Sequence, residues 1–196
     1  MELVVATRNE GKLKEIRSLL SGTGIRVLGL DAFPDIPEIE EQGDSFEANA
    51  CKKAETVARL TSCLTLADDS GLEVEALGGL PGVRSSRYAG EKASDTENNH
   101  KLLEALKGVS RENRKGTFRC VMALSQPSQE CRTFSGKVEG IILESPRGGG
   151  GFGYDPLFLV REYGKTMAEL SMEVKNRISH RGQALRQVLE FFRDLG

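Results

Sequence analysis

The chain has 196 residues, 38% of them apolar and 29% charged. That length suits one large domain or two small lobes, and the composition supports a packed core rather than disorder. Lys plus Arg number 27 against 29 Asp plus Glu, and the net charge of −2 excludes a generally basic nucleic-acid coat. A locally basic pocket stays open.

No apolar run nears the roughly 20 residues that cross a bilayer, so no membrane partner is expected. Residues 1–6 lack a basic leader and read as a first strand, which makes the cytoplasm the expected address. Cys51, Cys63, Cys120 and Cys131 form no C-x-x-C pair. They are expected to be reduced thiols, small and buried or half-buried, rather than zinc ligands or disulfides.

In chain order, residues 3–6 predict a buried strand, followed by Thr7-Arg8-Asn9-Glu10-Gly11-Lys12. Leu13, Ile16, Leu19 and Leu20 at helical spacing place that hexapeptide at a strand-to-helix junction. Residues 25–30 predict a second strand. Residues 31–42 are an acidic loop interrupted by Pro34 and Pro37. Asp44 or Ser45 caps a helix to about Leu60, with Phe46, Ala50, Ala54, Val57 and Ala58 as its apolar side.

A strand over 64–67 ends in Asp68-Asp69-Ser70-Gly71, with continued strand possible over 72–77 and a turn at Gly78-Gly79-Leu80-Pro81-Gly82. Ser94-Asp95-Thr96-Glu97 is a capping box opening a helix to about Leu106. Residues 117–124 and 132–143, interrupted at 126–129, predict an antiparallel hairpin. A four-glycine run at 148–151 leads into Phe152-Gly153-Tyr154-Asp155-Pro156, and a last helix starts near Ser179. Alternating elements followed by a hairpin argue for a mixed α/β fold with a central, partly antiparallel sheet.

Five segments could carry chemistry. Amides at the junction 7–12, with Arg8 and Lys12, suit a polyphosphate, although the P-loop spacing is missing. Asp68-Asp69, next to an apolar run, can bind a metal or activate water, or can simply make a turn. Glu38-Ile39-Glu40-Glu41 is a solvated acidic loop unless it folds over Asp69, and Lys52 and Lys53 offset that charge or touch phosphate. At 148–158, glycines allow close backbone approach while Phe152 and Tyr154 offer flat apolar faces. Lys175, His180 and Arg181 provide donors for a base carbonyl or a phosphate.

Taken in order, ATRNEGKLKEI (6–16), EEQGDSFEANACKKA (40–54), ADDSGLEVEALGGLPGVRSSRYAG (67–90), GGGFGYDPLF (149–158) and SHRGQAL (179–185) resemble the inosine triphosphate pyrophosphatase family. The resemblance covers nearly the whole chain. Arg8 departs from it, because this family commonly has a small residue there.

The resemblance implies an α/β fold with a long mixed central sheet, flanking helices and two lobes around a central cleft, built as one domain over residues 1–196. It implies a Mg²⁺-dependent homodimer that cleaves noncanonical purine nucleoside triphosphates to the monophosphate and pyrophosphate. Carried over, Thr7, Arg8, Asn9, Glu10, Gly11 and Lys12 hold the triphosphate, and Asp69 is the general base and a metal ligand. Glu40 is the metal-site acid, with Glu41 as its alternative. Lys53 and Ser70 contact substrate. Phe152, Gly153, Tyr154 and Asp155 form the base pocket, and Lys175, His180 and Arg181 read the base. Two other classes compete with this resemblance. A septum-associated pyrophosphatase family carries Ser-x-Ser-Pro-Arg-Arg at its N-terminus, which residues 7–12 do not match. A non-catalytic nucleotide- or RNA-binding module would not need an acidic pair.

Overall fold

The computed structural model of the chain describes residues 1–127 and 129–194. Ser128, in the expected turn at 126–129, and the last two residues of the expected 1–196 domain lie outside the described residues.

The elements are β1 (Glu2–Val5), α1 (Glu10–Leu20), β2 (Arg26–Gly29), α2 (Phe46–Thr61), β3 (Thr65–Val74), α3 (Asp95–Ala105), β4 (Lys115–Ser125), β5 (Arg132–Ile142), β6 (Phe158–Val160), β7 (Lys165–Thr166), α4 (Met172–Ile178) and α5 (His180–Asp194). The strands form a seven-stranded sheet in the order β2-β1-β3-β4-β5-β6-β7. β1 runs parallel to β2 and β3, whereas β5–β6 and β6–β7 are antiparallel, so the expected mixed sheet with flanking helices is present.

Two compact units divide the chain. The first takes Met1–Asp69, Cys120–Gly136 and the chain from His180; the second takes Ser70–Arg119 and Lys137–Ser179. In the first unit, Leu3, Val4 and Val5 of β1 are fully buried. Asn9 caps α1 through its side-chain oxygen, which accepts the Lys12 amide at 2.9 Å. Ser45 caps α2, whose Ala50, Ala54 and Ala58 are small enough for close packing and are buried with Phe46 and Val57. Leu3, Val5, Ile16, Leu20, Leu66, Met122, Ala184, Leu185 and Val188 share one core. In β5, Gly136 lets the start of α5 approach, since a Cβ there would overlap the His180 carbonyl. Cys51 and Cys131 form a disulfide with Cα atoms 6.0 Å apart, which corrects the expectation of four reduced thiols; half-buried Cys63 and buried Cys120 stay free.

The second unit packs Leu72, Val74, Leu102, Leu106, Phe118, Ile142, Leu157, Phe158 and Met167 together. The Ser94–Glu97 capping box opens α3 as the spacing predicts. Buried Arg114 donates to the carbonyls of Leu106, Ile142 and Leu143, tying the end of β5 to the turn after α3. α4 and β7 were not foreseen: seven and two residues are too short for a periodic signal.

The acidic pair does not end its strand. β3 runs unbroken from Thr65 to Val74, with Asp68 and Asp69 buried within it. A polar pair reads as a strand end because buried carboxylates are costly. Here cations from other elements lift that cost.

Candidate active site

Asp68 is fully buried and three groups donate to it. Lys12, two residues into α1, sits 2.6 Å from Oδ1; Arg181 Nε on α5 and the Cys120 thiol reach Oδ2 at 2.9 and 3.1 Å. Arg181 Nη1 continues to Glu15 Oε2 at 2.5 Å. Burial alone would raise the Asp68 carboxyl, but the Arg181 guanidinium and Lys12 ammonium override it and hold it well below the ordinary value of 3.8. Burial lowers Lys12, and the Asp68 carboxylate reverses this and raises it. Burial, reinforced by the Asp68 charge, pushes the Cys120 thiol well up, so this cysteine is not a nucleophile.

Asp69, the next residue, has the opposite surroundings. Its Oδ1 lies 3.6 Å from Lys53 Nζ, which binds Glu41 Oε1 at 2.5 Å and the Asp68 carbonyl at 2.7 Å. Its Oδ2 is buried with no hydrogen-bond partner among the described residues. Burial raises the Asp69 carboxyl above 3.8, with Glu41 adding to the rise and Lys53 and Lys12 opposing it. A carboxylate that is buried, partly unpartnered and raised in pKa is suited to accept a proton.

The acid that reaches Asp69 is Glu41, through Lys53. Glu40 is exposed: its carboxylate takes the Gln42 amide and its carbonyl takes Lys52. Among the described residues no three His, Cys, Asp or Glu side chains cluster as a preformed metal site. The donors at hand are hard oxygens, Asp69 Oδ2 lacks a partner, and four carboxylates (Glu15, Glu41, Asp68, Asp69) face three cations (Lys12, Lys53, Arg181). That donor set fits Mg²⁺ as Asp69 plus Glu41, the remaining ligands coming from phosphate and water.

The other first-unit candidates surround the start of α1. Thr7 Oγ1 accepts the Asn9 amide at 3.1 Å; Glu10 is exposed and Gly11 half-buried in the first turn. Arg8 Nη2 donates to the Ile36 carbonyl at 2.6 Å, so this guanidinium ties down the loop before α2. His180 and Arg181 open α5 as buried residues. With Nε and Nη1 bound to Asp68 and Glu15, Arg181 anchors Asp68.

The second unit carries the other group. Asp155 Oδ2 accepts the Phe152 amide at 3.0 Å and Lys175 Nζ at 2.6 Å. The same ammonium lies 5.5 Å from the centre of the half-buried Phe152 ring. Gly151, at φ +75°, leaves the space that Asp155 uses; a Cβ there would strike its carboxylate. Gly153 has φ +59°, with its amide on Asp95 and its carbonyl on Asn99. Ser70 is half-buried on β3. Tyr154 departs from the expected flat platform: its ring lies in the second core and its hydroxyl donates to the Ser85 carbonyl at 2.9 Å.

Sequence reasoning missed Glu15, Asp95, Asn99, Cys120 and the buried Asn49 on α2, whose side chain hydrogen-bonds Asp69. Glu15 had a signal, because Lys12, Glu15, Ile16 and Leu19 share one face of α1 and an acid within a buried stripe asks for a partner.

A family model described as the Ham1 family matches residues 3–191. The dITP/XTP pyrophosphatase of Geobacter sulfurreducens is 58% identical over 183 residues, 93% of this chain and 92% of that protein. Among solved structures, the Staphylococcus aureus Ham1 protein is similar with a TM-score of 0.88 at 41% identity over the whole of both chains. A HAM1 protein from Coxiella burnetii gives 0.89 at 43% identity over 99% of each. Sequence and backbone agree over nearly the full length, and the chain belongs to the Ham1 family.

Proposed function

We propose that this chain is a nucleoside-triphosphate pyrophosphatase that hydrolyses noncanonical purine nucleoside triphosphates (dITP, XTP and ITP) to the monophosphate and pyrophosphate. The close relative from Geobacter sulfurreducens, named for dITP and XTP, supports the substrate class. The observation that carries the chemistry is Asp69: buried, raised in pKa, and with one oxygen unpartnered among the described residues.

In this reading Asp69 takes the proton of the water that attacks the α-phosphorus, in line with the leaving pyrophosphate. Lys53 keeps the acids Glu41 and Asp69 near each other. Lys12 and the amides opening α1 favour the negative charge of the triphosphate. Mg²⁺, held by Asp69 and Glu41, would neutralise phosphate charge. Phe152 stacks on the base while Lys175 and His180 read it. A purine with a carbonyl at position 6 accepts those donors, whereas adenine presents an amine and leaves them unpaired.

The family resemblance extends the reading to a homodimer in the cytoplasm, with no nucleic-acid or membrane partner. No described helix is long and apolar enough to cross a membrane.

The test is a panel of dITP, XTP and ATP, with and without Mg²⁺, following pyrophosphate and phosphate separately. Wild-type protein should release pyrophosphate from dITP and XTP far faster than from ATP, and only with the metal. Asp69→Asn should lose about 10²–10⁴-fold in turnover, the usual range for a general base. Near-normal turnover in that variant removes Asp69 from the mechanism, and release of phosphate alone points to a different phosphohydrolase.

A further inference from the structure

The loop that carries Phe152 is held by α3 as well as by Asp155. Asp95 is the first residue of α3 and Asn99 lies one turn later, so the two side chains share one face. Both grip a single residue of the loop. Asp95 Oδ2 accepts the Gly153 amide at 2.6 Å, and Asn99 Nδ2 donates to the Gly153 carbonyl at 2.9 Å. Because that carbonyl takes only a donor, the orientation of the Asn99 amide is fixed. Gly153 sits at φ +59°, in the left-handed region that favours glycine.

From this geometry we infer that Asp95 and Asn99 are positioning residues for purine binding. They hold the Gly153 peptide, and through it the Phe152 ring, in the orientation that receives the base. The inference rests on the proposed role of Phe152, and neither residue needs to touch the nucleotide. Asp155 and Lys175 add a second hold one residue earlier: Asp155 accepts the Phe152 amide, and Lys175 lies near its ring. With residues 152 and 153 both held, little conformational entropy is left to lose at the Phe152 ring when a base stacks. An untethered loop would lose it on every binding event.

The experiment compares Asp95→Ala, Asn99→Ala and Asp95→Asn with wild-type protein. Calorimetry measures binding of inosine monophosphate, which carries the base, and of inorganic pyrophosphate, which does not. Each Ala variant should bind inosine monophosphate about three- to tenfold more weakly, the usual worth of one hydrogen bond, with pyrophosphate binding and melting temperature close to wild type. Asp95→Asn keeps an acceptor for the Gly153 amide and should bind both ligands normally. In the ligand-free Ala variants, amides of residues 148–158 should exchange hydrogen faster than in wild type. Unchanged inosine monophosphate binding, equal weakening of both ligands, or unchanged exchange overturns the clamp alone. A wild-type protein that binds neither ligand overturns the nucleotide reading, and the clamp's role with it.

Discussion

Asp68 and Asp69 are adjacent in one strand and have opposite duties. Asp68 has two cations and a thiol on its oxygens, and its charge is locked in. Asp69 shares one lysine with Glu41 and has one oxygen with no hydrogen-bond partner among the described residues. The first is therefore held as a structural anchor and the second is the one proposed for the chemistry, although the two residues are identical in type. Asp68→Asn keeps the shape but removes the carboxylate that Lys12 and Arg181 share in a buried setting. Breaking a buried charge network in this way costs about 3–5 kcal/mol. Urea unfolding at neutral pH should show that loss, and a change under about 1 kcal/mol would mean the network is better solvated than its burial indicates.

At the scale of elements, the disulfide makes the sharpest prediction. Cys51 on α2 and Cys131 just before β5 are 80 residues apart in sequence. α2 also carries Lys53 and the buried Asn49. A cross-link closing a loop of that length contributes about 2–4 kcal/mol, mainly by restricting the unfolded chain. Reductant should lower the melting temperature of wild-type protein by roughly 5–15 °C. Cys51→Ser should melt at the lower temperature and be indifferent to reductant. Thiol titration of the unreduced, denatured wild-type protein should find two free thiols; four would show that the bridge had not formed.

The same pair shows what a single sequence reveals and what it hides. The starts of α1, α2 and α3 were legible because Asn9, Ser45 and the Ser94–Glu97 box act within one turn of their own helices. The Cys51–Cys131 bridge and the passage of β3 through two acids were not, because their causes are remote. Arg181 is 113 residues from the Asp68 it neutralises and 166 from Glu15. The candidate residues were legible as types, but the roles of Arg181 and Tyr154 depend on partners that no local pattern displays.

For the whole molecule, the two aspartates act in opposite directions on the dependence of stability on pH. Asp68 has a lowered carboxyl in the fold, so its contribution is complete above 3.8, its ordinary value, and is lost as pH falls below that through the folded value. Asp69 has a raised carboxyl, so the fold binds its proton more tightly than the unfolded chain does. Stability therefore falls as pH rises from 3.8 through its folded value, and above that the ionised Asp69 is a standing cost. Lys53 retains Glu41 when Asp69 is neutralised, so no new unpaired charge results. Asp69→Asn, the variant expected to lose turnover, should accordingly melt at a higher temperature than wild type at pH 7 to 8 in the presence of a chelator. The gap should close below pH 3.8, where Asp69 is protonated in both states of the wild-type protein. A gain at neutral pH that persists unchanged in acid would trace to packing instead, and a loss would show that the Lys53 contact outweighs the burial of the charge. The expected pattern is that of a proposed general base kept at the expense of the fold.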